Sequence, residues 1–142
     1  MIRPLMTMAA LALTLSPVSV HAADPAPQPA KAFFKNIKDG DTVHNPVHLE
    51  FDLTGMKVAP AGTMTPGTGH FHLLIDTQLT DAQKKLPIPN DTQHMHFGKG
   101  QTEATITLPP GEHTLQLVMG DGLHRLNNPP VMSDIIHVTA EK

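Results

Sequence analysis

The sequence predicts an all-β fold, an Ig-like antiparallel β-sandwich of about seven short strands. Three observations carry that expectation. Apolar and polar residues alternate with period two in several short stretches. Turn residues punctuate the chain roughly every 8 to 12 positions. No stretch has the periodicity of an amphipathic helix of useful length. At 142 residues the chain holds one domain's worth of sequence.

Residues 1–22 carry Arg3, an apolar run from Leu5 to about Val20, and the small-x-small ending Val20-His21-Ala22. These features predict a secretory signal peptide cleaved near Ala22/Ala23, and a periplasmic or secreted mature protein. The apolar run contains Pro17 and is shorter than the roughly 20 residues a bilayer span needs, so the mature chain is expected to have no membrane span. Residues 23–32, "ADPAPQPAKA", read as a Pro/Ala-rich linker, and 33–142 as a single β-sandwich domain.

Within the domain, Val47, Leu49, Phe51 and Leu53 alternate with His48, Glu50 and Asp52, the pattern of a half-buried strand. A Gly-, Pro- and Thr-rich loop spans 57–69, and Phe71, Leu73 and Ile75 alternate in the next strand. The stretch 77–93 is a longer excursion with one helical turn near Thr80–Lys85, ended by Pro87. A short strand at His94–Phe97 comes next, followed by one with Ala104, Ile106 and Leu108 inward and one with Leu115, Leu117 and Met119 on a single face. The last strand, Asp134–Thr139, puts Ile136 and Val138 opposite Ile135 and His137.

Composition removes several functions. With no cysteine there are no disulfides, thiolate metal sites or iron–sulfur clusters. The net charge of −3, or −4 once Arg3 leaves with the signal peptide, makes nucleic acid an improbable partner. Tryptophan and tyrosine are absent, which removes the aromatic platforms of carbohydrate sites. No nucleophile elbow, phosphate-binding loop, dinucleotide fingerprint or His-Glu-x-x-His occurs, so the chain is not expected to be an enzyme.

Histidine is the excess, with ten in the chain. Two pairs stand at i and i+2: His70 and His72 in "GHFHLLID", and His94 and His96 in "QHMHFGKG". In a strand each pair shares one face, opposite the apolar residues Phe71, Leu73, Met95 and Phe97. If the two strands are neighbours, four imidazoles converge. Without thiolates, such a set suits copper first and zinc second. His124 is the additional ligand able to reach the same end of the sandwich. His113 ranks behind it, as a strand-end histidine. Asp76 lies on the face of the first pair, where it could orient an imidazole. His44, His48 and His137 read as exposed. Of the methionines, Met64 sits in the loop before the first pair, and Met95, Met119 and Met132 read as packing.

The strings "GTGHFHLLID", "QHMHFGKGQTEATITLPPGEHTLQLVMGD" and "NPPVMS", in this order, resemble the bacterial domain-of-unknown-function family 4399, over roughly Phe33 to Thr139. The resemblance implies a small exported domain in which His70, His72, His94, His96, His113 and His124 match the family's histidine positions. The family often carries further histidines where this chain has Phe71 and Asn127, departures that leave both His-x-His pairs intact. It supplies no activity. The residues themselves point to an exported metal-binding protein that sequesters or delivers copper, or zinc, with the ion and another periplasmic protein as its partners. The alternative is an envelope interaction module that uses the 57–69 and 77–93 loops, its histidines being structural.

Overall fold

The computed structural model describes residues 29–142. The expected signal peptide, and the linker up to residue 28, lie outside the described residues. Nine strands are present among those described: β1 (Lys31–Phe34), β2 (Asp41–His44), β3 (Val47–Thr54), β4 (Lys57–Val58), β5 (Thr68–Ile75), β6 (His94–His96), β7 (Glu103–Ile106), β8 (Gly111–Gly120) and β9 (Ile136–Glu141). They form a three-stranded sheet in the order β1-β3-β7 and a six-stranded sheet in the order β2-β9-β8-β5-β4, with β6 also paired to β5. The short pairs β2–β9 and β4–β5 are parallel, and every other pair is antiparallel. The expected antiparallel β-sandwich is therefore the fold, with three short strands, β1, β2 and β4, beyond those read residue by residue from the pattern.

Alternation places the core. On β3, Val47, Leu49 and Phe51 are buried while His48 and Asp52 are exposed. They meet Phe71 and Leu73 of β5, Leu115, Leu117 and Met119 of β8, and Val138 of β9 between the sheets. Phe51 stands edge-on to Phe71, with ring centroids 4.8 Å apart, and lies 5.2 Å from Phe97. Burying a side chain of this size stabilises the fold by roughly 1.5–3 kcal/mol.

Three boundaries differ from the sequence pattern. Strand β1 begins at Lys31, two residues inside the stretch read as linker, because Ala32 pairs with Leu53 and is fully buried in the core. The last strand starts at Ile136 rather than Asp134, since Ser133 is held beside β8 by its Leu117 hydrogen bonds. The expected helical turn is a single 3-10 turn, Gln83–Lys85. Thr80 and Gln83 brace the residues leading into it, each side chain accepting the other's backbone N–H.

The outer face of the larger sheet is also covered. Leu74 of β5 and Val118 of β8 point outward but are buried beneath Leu79 and Ile88, which belong to the loop after β5. The histidines of β5 lie on this second, covered face. Among the described residues no helix is long and apolar enough to cross a membrane.

Candidate metal centre

Strand geometry supplies three of the four imidazoles. His70 and His72 project from β5 on the face of Leu74, and both are fully buried. Strand β6 pairs with β5 in the register that sets His96 directly opposite His72. That register is anchored by Phe97, whose N–H donates to the Phe71 carbonyl and whose ring occupies the main core.

The fourth imidazole arrives from the loop after β8. His124 takes a left-handed backbone conformation, φ 63°, which costs a non-glycine residue of the order of 1 kcal/mol or more. The loop around it compensates. The His124 N–H donates to the Asp121 carbonyl, and its own carbonyl accepts from Ile88 at 2.7 Å. The Asp121 carboxylate accepts the backbone N–H groups of Leu123 and Arg125, which closes the turn. One backbone segment thus fixes both the covering loop and the fourth histidine.

The four rings form one cluster. Nε2 of His70 and Nε2 of His72 are 3.1 Å apart. Ring centroids are separated by 4.9 Å for His70–His96, 5.0 Å for His70–His124, 5.0 Å for His72–His96 and 4.8 Å for His96–His124. One ring nitrogen from each of His70, His96 and His124 lies within 4.8 Å of the others. Nitrogens bound about 2.0–2.1 Å from a tetrahedral ion stand about 3.4 Å from one another; His72 lies outside this group of three, its ring centroid 6.2 Å from that of His124.

Two glycines make room for the rings. A Cβ at Gly98 would overlap the His96 imidazole, and one at Gly120 would come within 2.8 Å of His72 Nε2. Burial also favours the neutral form of His70, His72 and His96. Desolvation, then repulsion from the neighbouring imidazoles, pushes His70 down to about 4 and His72 down to about 3. His96 is lowered for the same reasons. Neutral imidazole is the ligating form. Nδ1 of His70, Nδ1 of His72, Nε2 of His96 and, beside the cluster, Nε2 of His94 are buried without a hydrogen-bond partner.

The structure joins four of the six histidines named from the sequence, His70, His72, His96 and His124, and places two elsewhere. His94 shares the outer face but stands opposite Leu74, one step along β5, and its Nδ1 donates to Asp91 at 2.8 Å. His124, named as a further ligand, thus joins the ring cluster, and His94 stands beside it on Asp91. His113 is remote from the cluster. Its Nδ1 donates to Asp76 at 2.7 Å and its Nε2 to the Pro109 carbonyl at 2.7 Å. Asp76 therefore orients His113 and no ring of the cluster. Both ring nitrogens of His113 are thus engaged within the protein. His44, His48 and His137 are exposed, as read. Met64 is exposed, with its sulfur packed close to Gly122, two residues before His124.

The sequence reading treated the histidine face as outward, and the structure buries it. The signal was present in Leu73-Leu74 and Leu117-Val118-Met119, adjacent apolar residues that require cover on both faces of a strand. Gly120 and Ile88 went unnoticed as supports because each acts on a distant segment, and Gly98 and Asp121 because their local role depends on the turns formed around His96 and His124.

Together the fold and the cluster define a small β-sandwich domain with four neighbouring histidine rings, two of them fully buried. Residues 49–141 match the family described as domain of unknown function (DUF4399), and the chain belongs to that family. No curated protein and no solved structure matches the chain.

Proposed function

We propose that the protein is an exported metal-binding protein whose ligands are His70, His72, His96 and His124, with copper preferred, zinc second, and sequestration or delivery as its role. One observation carries this: imidazoles from three separate segments converge, and those of β5 and β6 carry buried nitrogens that have no other partner. A buried polar atom without a partner costs about 1–3 kcal/mol, and a bound ion satisfies several at once. Four imidazoles fill a tetrahedral shell. A closed shell suits holding an ion, whereas hydrolysis needs an open position. The leader-like features of residues 1–22 support export, and a second envelope protein is the natural recipient of the ion.

The 77–93 loop favours this reading over that of an interaction module. Leu79 and Ile88 are committed to covering the histidine face, and the Ile88 N–H ties the loop to His124. Titration of the metal-free protein with Cu²⁺, Zn²⁺ and Ni²⁺ tests the proposal. The expected result is one ion per chain with sub-micromolar affinity, lost in a His70→Ala/His124→Ala variant. Micromolar or weaker binding that is unchanged in the variant would sink it.

A further inference from the structure

His94 stands outside the four-ring cluster, yet its surroundings prepare it as a ligand. Asp91 and His94 close a tight turn, in which the His94 backbone N–H is shared between the Asp91 carbonyl and Oδ1, and the Asp91 N–H donates to the His94 carbonyl. The same Oδ1 accepts the His94 Nδ1–H at 2.8 Å and the Gln93 N–H at 2.9 Å. The His94 ring bond first, then the Gln93 N–H, hold the Asp91 carboxyl below its usual range. It therefore stays ionised and keeps the ring proton on Nδ1, the arrangement found behind metal-bound imidazoles. Nε2 is then the nitrogen with the lone pair. The residue is 5% exposed, and no hydrogen bond reaches that nitrogen.

Its position points the same way. Across β5 and β6, His94 is paired with Leu74 and His96 with His72, which makes His94 and His72 diagonal neighbours on one face. Such neighbours stand about 7–8 Å apart, within reach of long side chains. His94 acts electrostatically on His72, whose Nδ1 is likewise buried without a partner. Asp91, in contrast, is exposed, and with Asn90, Thr92 and His96 it lines an open cleft of about 730 Å³ beside β6. The Asp91–His94 pair thus runs from an anionic surface group, which attracts a cation, to a buried lone pair next to the cluster.

We propose that His94 is a transit ligand, whose Nε2 holds the ion between the cleft at Asp91 and the resting shell of His70, His72, His96 and His124. This rests on the metal-binding reading of those four histidines and adds the route by which the ion is exchanged. Each step replaces one bond to the ion with another. In loading, the bond from His94 Nε2 breaks as a cluster nitrogen takes its place. The Nδ1 proton stays in its hydrogen bond to Asp91, and the oxidation state of the ion does not change. Release runs the same steps in reverse. A ligand of this kind stabilises the intermediate and neither end state, so it speeds both directions by one factor and leaves the equilibrium where it is.

The test is stopped-flow exchange of Zn²⁺ and, separately, Cu²⁺ on the wild-type protein and on His94→Gln. Loading is read from the loss of absorbance of the ion's complex with a chromophoric chelator, and release from its return under excess chelator. His94→Gln is expected to slow loading and release by the same factor, about tenfold or more, with one ion per chain still bound. Asp91→Asn keeps the turn's acceptors and the imidazole but removes the charge. It should slow both rates to a smaller extent, and it carries the test where His94→Gln does not fold. A purely structural role for His94 gives the opposite sign, because a loosened shell releases its ion faster. Wild-type rates in a variant with native circular dichroism, or faster release, overturn the proposal while leaving the metal site in place. No binding of either ion by the wild-type protein overturns the metal reading itself.

Discussion

The side chains of His70 and His72 meet Nε2 to Nε2 at 3.1 Å, in the covered outer face of a β-sheet. In the metal-free protein one ring donates to the other, and a proton added to either places a cation among buried imidazoles. That relationship ties the cluster's chemistry to pH.

The metal-free fold should lose stability in acid through these residues. An unfolded histidine titrates near 6.5, whereas His70 and His72 in the fold titrate at about 4 and about 3. Below 6.5 the unfolded chain therefore binds more protons than the native one, and stability falls as pH drops from about 6.5 toward 3. Thermal melts between pH 7.5 and 4 should show a falling Tm, with a shallower fall in His72→Gln. A flat Tm over this range contradicts the prediction.

His113 should behave in the opposite sense. Burial lowers its pKa, but the Asp76 carboxylate and the Pro109 carbonyl outweigh that and leave it raised. Its contribution is fully present below the unfolded value of 6.5 and is lost as pH rises through the folded value. Asp76→Asn retains a residue tolerant of φ 55° but removes the charge. NMR titration should then find the His113 pKa shifted downward, with a stability loss of about 1–3 kcal/mol below pH 6.5. An unchanged His113 titration would separate the two residues.

Gly98→Ala should damage the centre while sparing the fold. The added methyl overlaps the His96 ring, which must swing away. Circular dichroism should remain native while metal affinity falls by about 10–100-fold, the usual effect of disturbing a ligand's support. Affinity equal to the parent protein's would show that His96 is not a ligand.

Ile88→Ala should cost both stability and metal. It removes a buried side chain, worth about 2–4 kcal/mol in such substitutions, from the loop that covers Val118 and anchors His124. Chemical denaturation and metal titration should report parallel losses. A stability loss with full metal affinity would separate the cover from the site.

His94→Gln and His113→Asn should both leave the metal stoichiometry at one. Neither ring joins the cluster, since Asp91 holds the first and Asp76 the second. Loss of the ion in His94→Gln would restore His94 to the ligand set.

The sandwich was legible because alternation on β3, β5 and β8 divides core from surface residue by residue, and Phe51, Phe71 and Leu117 sit where their parity puts them. The histidine pairs were legible by the same parity. The choice between His94 and His96 was not, because it depends on β6 register. A shift of two residues would seat Met95 where Phe97 packs against Phe51, a tertiary constraint that no local pattern encodes. The commitment of His124 was hidden for a related reason: its ring is aimed by a left-handed turn that Asp121 and Ile88 hold from separate parts of the chain.

Anomalous diffraction from crystals of the metal-loaded protein tests the central claim most directly. The account predicts a single ion peak with nitrogen atoms of His70, His72, His96 and His124 each about 2.0–2.1 Å away. A peak at His94–Asp91 or on the exposed His48, or none at the cluster in crystals shown to contain metal, would contradict it.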